Sequence, residues 1–304
     1  MKSTNVYDNL DTEKRNPNTM NIDERSISDI VDIINWEDQK ACKAVRAVKN
    51  QITETIKMVV DSFQHGGRLF YVGAGTSGRL GVLDASECPP TFSVSTLMVQ
   101  GIIAGGVPAL MRSVEGAEDN EEDGKRQIAS RNVSDKDTVI GIAACGVTPF
   151  VLGALIEAKK RAAGTAFITC NPATAKNVDV DVRITPQTGE EVITGSTRMK
   201  AGTATKLILN TITTTAMIQI GKTYSNLMVD LNPVSNKLKL RAVRIIKTIT
   251  GLDDGASKAL FKAADNNVKV AIVMAKSNIS APAAISLLNE HNGKIKQALN
   301  SLKS

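Results

Sequence analysis

Apolar and polar residues alternate along the middle of the chain in a pattern that predicts strands followed by helices. Short apolar runs bounded by glycine or polar residues predict five buried strands, at 68–72, 97–104, 138–144, 165–170 and 180–185. Helical spacing follows the first strand and recurs at 118–132, 149–163 and 200–221. Because this alternation is typical of a parallel, doubly wound sheet with helices on both faces, the predicted fold class is α/β.

The two ends of the chain lack the strand pattern. Residues 1–20 predict an irregular lead-in, followed by a helix that begins after Ser26 or Ser28 and a longer helix over 37–64. Only helical patterns follow the central region, over 234–250, 255–265, 268–275, 280–289 and 294–302. We therefore predict N-terminal helices (1–64), a central α/β domain (65–232) and a small C-terminal helical subdomain (233–304).

Composition excludes several classes of protein. Of the 304 residues, 42% are hydrophobic, which is enough to form a core without disulfides, and 22% are charged. The 3% of aromatic residues argues against a stacking surface for single-stranded nucleic acid. No apolar run approaches the roughly 20 residues of a membrane span, and the N-terminus lacks the apolar segment of a signal peptide. The four cysteines form no C-x-x-C pair, so we expect reduced thiols and a cytoplasmic protein.

The net charge of +6 is unevenly distributed. Residues 221–304 carry 13 Lys/Arg against 5 Asp/Glu. A basic region of this kind can bind nucleic acid or membrane, but it can also consist of solvated helix faces. Because no run within residues 221–304 exceeds two adjacent basic residues, the second interpretation is favoured, and we expect neither a nucleic-acid nor a membrane partner.

A glycine-rich loop, Gly73-Ala-Gly75-Thr76-Ser77-Gly78, directly follows the first predicted strand. It matches G-x-G-x-x-G, but the second strand ends without the acidic residue that a dinucleotide fold places near the ribose. Hydroxyls at a helix start, with free N–H groups, favour a single phosphate instead. The alternative is a tight turn in which Ser or Thr only caps the helix.

Two further segments resemble anion-binding loops. The third strand ends Cys145-Gly146-Val147-Thr148-Pro149, again with a glycine and a hydroxyl at a carboxyl end. If the first and third strands are adjacent, their loops converge at a topological switch point. The segment 195–203 contributes Ser196, Thr197 and Lys200 before a long helix, which suits a third anion contact or an N-cap region with a basic edge.

Carboxylates are the main candidates for proton transfer. Glu87 lies on the helix after the first loop, just before Pro89-Pro90, which we expect to end that helix. Glu115 and Glu118 flank Gly116 after the second strand, where most neighbouring acids complement a helix dipole. A surface ion pair is the alternative for Glu87. Neither histidine has a Ser or Cys partner at motif spacing, so a Ser–His–Asp triad or a metal hydrolase is disfavoured.

Long blocks of the sequence resemble the N-acetylmuramic acid 6-phosphate etherases, a branch of the sugar isomerase (SIS) fold. The resemblance extends over nearly the whole chain, and its long central blocks are the most specific. The matching segments are 10–16, 22–24, 34–38, 73–92, 114–120, 191–210 and 226–230. One departure lies in the third loop, where Cys145 and Val147 replace the Ser and Arg of the usual Ser-Gly-Arg-Thr-Pro. The resemblance implies a five-stranded, flavodoxin-like SIS sheet and a homodimer.

The same resemblance implies a reaction. It is the removal of D-lactate from a 6-phosphorylated N-acetylmuramic acid by elimination and hydration, with no metal or redox cofactor. Glu87 and Glu118 match the two acid/base glutamates of the family, and we expect Glu87 to be the acid that protonates the lactate oxygen and Glu118 to be the base at C2. The expected phosphate and substrate ligands are Gly75, Thr76, Ser77, Gly146, Thr148, Ser196, Thr197 and Lys200. The alternatives are a non-catalytic SIS protein that senses a phosphosugar and a phosphosugar isomerase, with an NAD enzyme least favoured.

Overall fold

A computed structural model describes residues 10–231 and 236–302. Five parallel strands form one sheet in the order β2-β1-β3-β4-β5. Their bounds are β1 Leu69–Gly73, β2 Val99–Ile103, β3 Thr138–Ile142, β4 Gly164–Ile168 and β5 Val182–Ile184. The predicted α/β class, strand count and parallel sheet are therefore confirmed.

The order of the strands explains where a ligand can bind. The chain passes from β1 outward to β2 and then returns to β3 on the other side of β1. Loops that leave β1 and β3 therefore diverge to opposite faces of the sheet, which opens a crevice at their carboxyl ends. The predicted adjacency of the first and third strands is confirmed.

Helices cover both faces of this sheet. Helix α2 packs on β1, β3 and β5, and helix α6 packs on β1, β3 and β4 with α5 beside it. Strands β1 and β3 are buried along their whole length, as expected for a sheet covered on both sides. The helices up to Gln219 are α1 Ile27–Ala47, α2 Lys49–Gln64, α3 Gly75–Phe92, α4 Pro108–Met111, α5 Glu121–Ser130, α6 Pro149–Lys160, α7 Pro172–Ala175 and α8 Lys200–Gln219.

The C-terminal part combines a small hairpin with helices. Strands β6 (Thr223–Tyr224) and β7 (Leu227–Met228) pair antiparallel. The helices that follow are α9 Asn236–Thr250, α10 Asp254–Ala263, α11 Val268–Ser277, α12 Ala281–Glu290 and α13 Ile295–Ser301. They enclose an apolar core of their own. The first residues of the helix predicted over 234–250 lie outside the described residues.

The chain divides into two compact units. One contains the residues up to Ser86 together with Thr96–Thr213, and the other contains Glu87–Ser95 together with the residues from Thr214 onward. The division falls inside α3 and α8. The three-part division at 64/65 and 232/233 stays a prediction.

Several predicted boundaries differ from the structure. The N-terminal helices break at Val48 instead of near residue 37, because Val48 leaves helical geometry and its N–H bonds back to Val45. Helix α3 continues through Pro89-Pro90 to Phe92 and ends at Ser93, which takes a left-handed conformation with its N–H on the carbonyl of Pro89. The two prolines cost N–H donors but keep a helical φ.

Candidate functional site

The loop after β1 is built by glycines that allow close packing. A Cβ on Gly73 would lie 2.6 Å from the backbone nitrogen of Gly78, and a Cβ on Gly78 would lie 2.6 Å from Cγ1 of Ile103. Gly75 has a φ of +50° and begins α3. Thr76 and Ser77 therefore lie in the first turn of the helix, where backbone N–H groups lack partners inside the helix.

The hydroxyls of this loop do not serve as helix caps. Among the described residues, the side chains of Thr76 and Ser77 form no hydrogen bond, and both are partly exposed. The same holds for Thr148, which precedes α6 without capping it. A turn stabilised by a Ser or Thr cap would use these hydroxyls internally, so the structure favours their availability to an anion.

Glu118 lies beside the first loop. A cavity of about 210 Å³ is lined by Ala74 and Gly75 on one side and by the segment 112–118 on the other. The helix predicted to begin at Glu118 begins three residues later, at Glu121, because the side chain of Asn120 caps α5. Glu115 lines the same cavity, and both acidic candidates of this segment are exposed.

Two arginines that sequence reasoning missed line this cavity as well. Arg79 lies four residues after Gly75, one turn along α3, and Arg112 follows α4. Helical spacing from Gly75 was the available signal for Arg79. Arg112 has no comparable signal, since only the path of the chain brings it to this place.

A backbone contact joins Glu118 to the third loop. The N–H of Phe150, in the first turn of α6, donates a 2.9 Å hydrogen bond to the carbonyl of Glu118. Gly146 in the same loop has a φ of +82°, and a Cβ there would lie 2.0 Å from Oγ1 of Thr174. The carboxyl ends of β1, β2 and β3 thus contribute neighbouring loops, as the switch point requires.

The segment before α8 approaches the first loop through a glycine. A Cβ on Gly202 would lie 3.4 Å from the carbonyl oxygen of Thr197 and 3.5 Å from Cγ2 of Thr76. Thr76 and Thr197 therefore both lie near one point on α8. Ser196 and Thr197 are partly exposed, and their side-chain hydroxyls form no hydrogen bond with the described residues.

Lys200 is part of a buried ion pair. Its side chain is fully buried, and its ammonium donates to Glu37 on α1. Burial by itself would raise the pKa of Glu37, but hydrogen bonds from Lys200, Lys40, Asn18 and Asn16 outweigh it and lower the pKa to about 2. The ammonium is paired with a buried carboxylate, so the structure adds no support for a phosphate contact at Lys200, and that contact stays a prediction.

The N-terminus of α8 is occupied by an internal carboxylate. The backbone N–H groups of Lys200 and Ala201 donate to Glu191, at 3.0 and 2.9 Å. Burial raises the pKa of Glu191 above its ordinary value, although these two donors act in the opposite direction. The helix end is therefore stabilised from within, and an external anion would depend on the hydroxyls of Ser196 and Thr197.

The N-terminal segment covers the third loop. The thiol of Cys145 donates to Glu13 at 3.4 Å, and the hydroxyl of Thr12 donates to the same sulfur at 3.8 Å. Burial raises the pKa of Cys145 to about 11, so the thiol is protonated at neutral pH. A thiol can donate only a weak hydrogen bond.

Glu87 is exposed on α3 and belongs to the second compact unit. Three residues earlier, Asp84 is buried and accepts hydrogen bonds from Tyr71, Asn210 and Thr213. Cys88 is also buried. The helix is therefore anchored by the neighbours of Glu87, while the glutamate itself faces outward.

The basic C-terminal residues differ in their surroundings. Lys237, Lys239, Arg244 and Lys247 of α9 are exposed, as expected for a solvated face. Lys269 is buried against Asp230, at 2.7 Å.

Over residues 10–231 and 236–302, no cluster of three His, Cys, Asp or Glu side chains could hold a metal ion. In the same residues, no single helix is long and apolar enough to cross a membrane. One pair of consecutive helices, Val268–Ser277 and Ala281–Glu290, reaches that length and composition only when counted together, and the two are bent by 105°.

Sheet order, glycine loops and free hydroxyls at the carboxyl edge define an α/β protein with a doubly wound, flavodoxin-like sheet and a ligand site at its switch point. The family model described as the glucokinase regulatory protein N-terminal SIS domain matches residues 51–159. A phosphoheptose isomerase from Neisseria gonorrhoeae is similar in structure, at 13% identity and a TM-score of 0.48 over 63% of this chain and 98% of that one.

Sequence comparison defines the family more narrowly. A protein of Actinobacillus pleuropneumoniae serotype 7 named N-acetylmuramic acid 6-phosphate etherase is 51% identical over 95% of both chains. A protein of Bacillus licheniformis named N-acetylmuramic acid 6-phosphate etherase 1 is 50% identical over 96% of both. The chain belongs to the N-acetylmuramic acid 6-phosphate etherase family, which confirms the resemblance stated above.

Proposed function

We propose that this protein is a carbon–oxygen lyase that cleaves the D-lactyl ether of N-acetylmuramic acid 6-phosphate. The products are N-acetylglucosamine 6-phosphate and D-lactate, and the setting is the cytoplasmic recycling or catabolism of cell-wall amino sugars. Family membership carries the proposal, because relatives at 45–51% identity over nearly the whole chain are named for this substrate and this bond.

The chemistry requires one base and one acid. In the opened sugar the C1 aldehyde acidifies the proton on C2. A base removes that proton, the C3–oxygen bond breaks, and an acid protonates the departing lactate oxygen to leave a C2–C3 double bond. Water then adds its hydroxyl to C3 and its proton to C2. Two carboxyl groups in different protonation states suffice, so the proposal needs no metal or redox cofactor.

Glu118 is assigned as the base at C2. Its position at the carboxyl edge of the sheet, in one cavity with Ala74 and Gly75, supports this role because ligands of open α/β sheets bind at that edge. Its main chain is held by Phe150, so the glutamate does not depend on a free loop for its position.

Glu87 is assigned as the acid that protonates the lactate oxygen. This assignment rests on the family resemblance and on the anchoring of the surrounding helix by Asp84 and Cys88. The exposed side chain of Glu87 is open to exchange of protons with solvent between the two half-reactions.

We assign the 6-phosphate to the hydroxyl-bearing loops. Thr76 and Ser77 follow Gly75 in the first turn of α3, Thr148 follows Gly146 before α6, and Ser196 and Thr197 precede α8. The free hydroxyls and the exposed first turn of α3 support this role. Binding a phosphate away from C2 and C3 orients the sugar before the chemistry. Lys200 is left with a positioning role through Glu37.

A second candidate function is a non-catalytic sensor of phosphosugars. The match of residues 51–159 to the SIS domain of the glucokinase regulatory protein favours it, because a phosphosugar site does not by itself require etherase chemistry. The discriminating feature is the pair Glu87 and Glu118, which a sensor does not need.

The deciding experiment is direct. Purified protein is incubated with N-acetylmuramic acid 6-phosphate, and released D-lactate is measured with a stereospecific enzymatic assay. We expect lactate release from the 6-phosphate and little from the unphosphorylated sugar. Binding of the phosphosugar without lactate release would overturn the etherase proposal in favour of the sensor. Sedimentation of the same sample tests the homodimer, which we propose from the resemblance.

A further inference from the structure

The cavity beside Glu118 is too small for a whole phosphosugar. Its volume is about 210 Å³, whereas pockets that enclose drug-sized ligands measure about 300–1,000 Å³. It is lined by Gly75, Arg79, Arg112, Glu115 and Glu118. The cavity therefore suits one small substituent of a substrate whose remainder lies outside it.

The two guanidinium groups of this cavity are available to a ligand. Within the described residues, neither Arg79 nor Arg112 forms an ion pair with a carboxylate. The Nε of Arg79 donates to the carbonyl of Leu110 at 3.2 Å. This bond holds the side chain in place and leaves its two terminal nitrogens able to donate to a ligand. Arg112 is exposed. A guanidinium presents paired donors that match a carboxylate, so two of them favour a small anion.

The proposed substrate has a small anion at the required place. Its lactyl group, attached through the C3 oxygen, ends in a carboxylate, and C3 adjoins the C2 carbon that Glu118 is assigned to deprotonate. The other anion, the phosphate on C6, lies at the far end of the opened sugar. We infer that Arg79 and Arg112 bind the lactyl carboxylate and select ethers that carry it, an inference that rests on the proposed function.

The acidic residues of the cavity make such a pair necessary. Glu115 and Glu118 line the same space, so a substrate carboxylate that enters it meets like charge. Two guanidinium groups offset that repulsion and leave Glu118 able to act as a base. Substrates with a neutral group in place of the carboxylate would gain nothing from the arginines.

The test compares two substrates on three proteins. The substrates are N-acetylmuramic acid 6-phosphate and its lactamide, in which the carboxylate is a neutral carboxamide. The proteins are the wild type, Arg112→Gln and, as a matched surface control, Arg126→Gln, whose side chain is 72% exposed. Because a charged hydrogen bond contributes a factor of about 10–100, we expect the wild type and the control to prefer the carboxylate by that factor in kcat/KM. Arg112→Gln should reduce the preference to about threefold or less, and Arg112→Lys, which keeps the charge but lacks the paired donors, should restore only part of it.

Arg79→Gln and the double variant complete the experiment. We expect Arg79→Gln to weaken the preference for the carboxylate too. N-acetylglucosamine 6-phosphate has no lactyl group, so exchange of its C2 proton should be much less affected. We expect the fold loss of exchange to be at least ten times smaller than the fold loss of lactate release. An unchanged preference for the carboxylate in both single variants and the double variant overturns the inference. Loss of the preference for phosphorylated over unphosphorylated sugar, with the carboxylate preference intact, also overturns it, because the arginines would then bind the phosphate. Wild-type protein that releases no lactate would instead overturn the proposed function itself, and the inference with it.

Discussion

The ammonium of Lys200 forms an ion pair with Glu37, and the two side chains are only 0% and 4% exposed. The pair connects helix α1 to the first residue of α8. Asn16 and Asn18 also donate to Glu37, at 2.9 and 3.2 Å, so the N-terminal segment is held at the same carboxylate. The loop 190–199, which carries Ser196 and Thr197, is thereby attached to a rigid support.

Loss of one partner of this pair should destabilise the fold. Lys200→Met leaves a buried carboxylate without its main cation, which costs about 3–5 kcal/mol of unfolding free energy. Urea denaturation followed by circular dichroism measures the change. The control is Lys14→Met, which removes an ion pair of similar length whose side chains are 49% and 43% exposed, and which should leave the midpoint nearly unchanged. Equal effects of the two variants would contradict the structural role of Lys200.

Acid should weaken the protein through Glu37. The pKa of this group is about 2 in the folded state, against an ordinary value of 4.5. A lowered pKa contributes stability that is present above the unfolded value, and that contribution, about 3 kcal/mol, is lost as the pH falls from about 4.5 through about 2. We expect Glu37→Gln to be less stable at pH 7 and to lose less stability on acidification than the wild type. Parallel pH profiles for the two proteins would show that Glu37 does not cause the effect.

Gly146→Ala should disturb the third loop. The added Cβ would lie 2.0 Å from Oγ1 of Thr174 in a backbone with a φ of +82°. We expect a loss of stability of the order of 1–3 kcal/mol for the strained backbone and weaker binding of phosphosugars, measured by urea denaturation and calorimetry. Gly189→Ala is the matched control, because its φ is +69° but no atom lies within 4 Å of the new Cβ. Binding that is reduced equally in both variants would argue against a specific role of the third loop.

Ser77→Ala should weaken binding of 6-phosphosugars without destabilising the protein. The hydroxyl forms no hydrogen bond with the described residues, so the fold loses little with it. A hydrogen bond to a charged group contributes about 1.5–3 kcal/mol, which corresponds to a 10-fold or larger rise in Kd by calorimetry. Ser130→Ala, at an exposed serine of α5, is the control. An unchanged preference for phosphorylated over plain sugar would place the phosphate elsewhere.

The two glutamates should have separable effects. Loss of a positioned acid or base costs about 10²–10⁴-fold in rate, so Glu118→Gln and Glu87→Gln should both lose lactate release. Only Glu118→Gln should also stop the incorporation of deuterium at C2 of N-acetylglucosamine 6-phosphate in heavy water, which mass spectrometry detects. Glu122→Gln, on an exposed neighbouring side chain, is the control. Full exchange with Glu118→Gln would mean that the roles are reversed or that Glu115 is the base.

Sequence patterns predicted the structure well where the conformation of a segment depends mainly on its own residues. The apolar runs predicted all five strands, because a strand covered on both faces is mostly apolar. The glycines of 73–78 predicted the sharp turn between β1 and α3. The prolines at 89 and 90 misled the prediction, since a proline near a helix end gives up N–H donors without forcing the chain out of helical geometry.

The sequence by itself determined the α/β class, the glycine loops and the pairing of chemistry-bearing residues with particular loops. Only the tertiary structure decided which of those residues are available. Lys200 looked like a phosphate ligand beside Ser196 and Thr197, but Glu37, 163 positions away, binds its ammonium. Arg112 had no motif, yet the path of the chain brings it into one cavity with Gly75 and Glu118. Contacts between distant segments determine which charged groups pair with each other. The spacing of residues along the chain does not show these contacts.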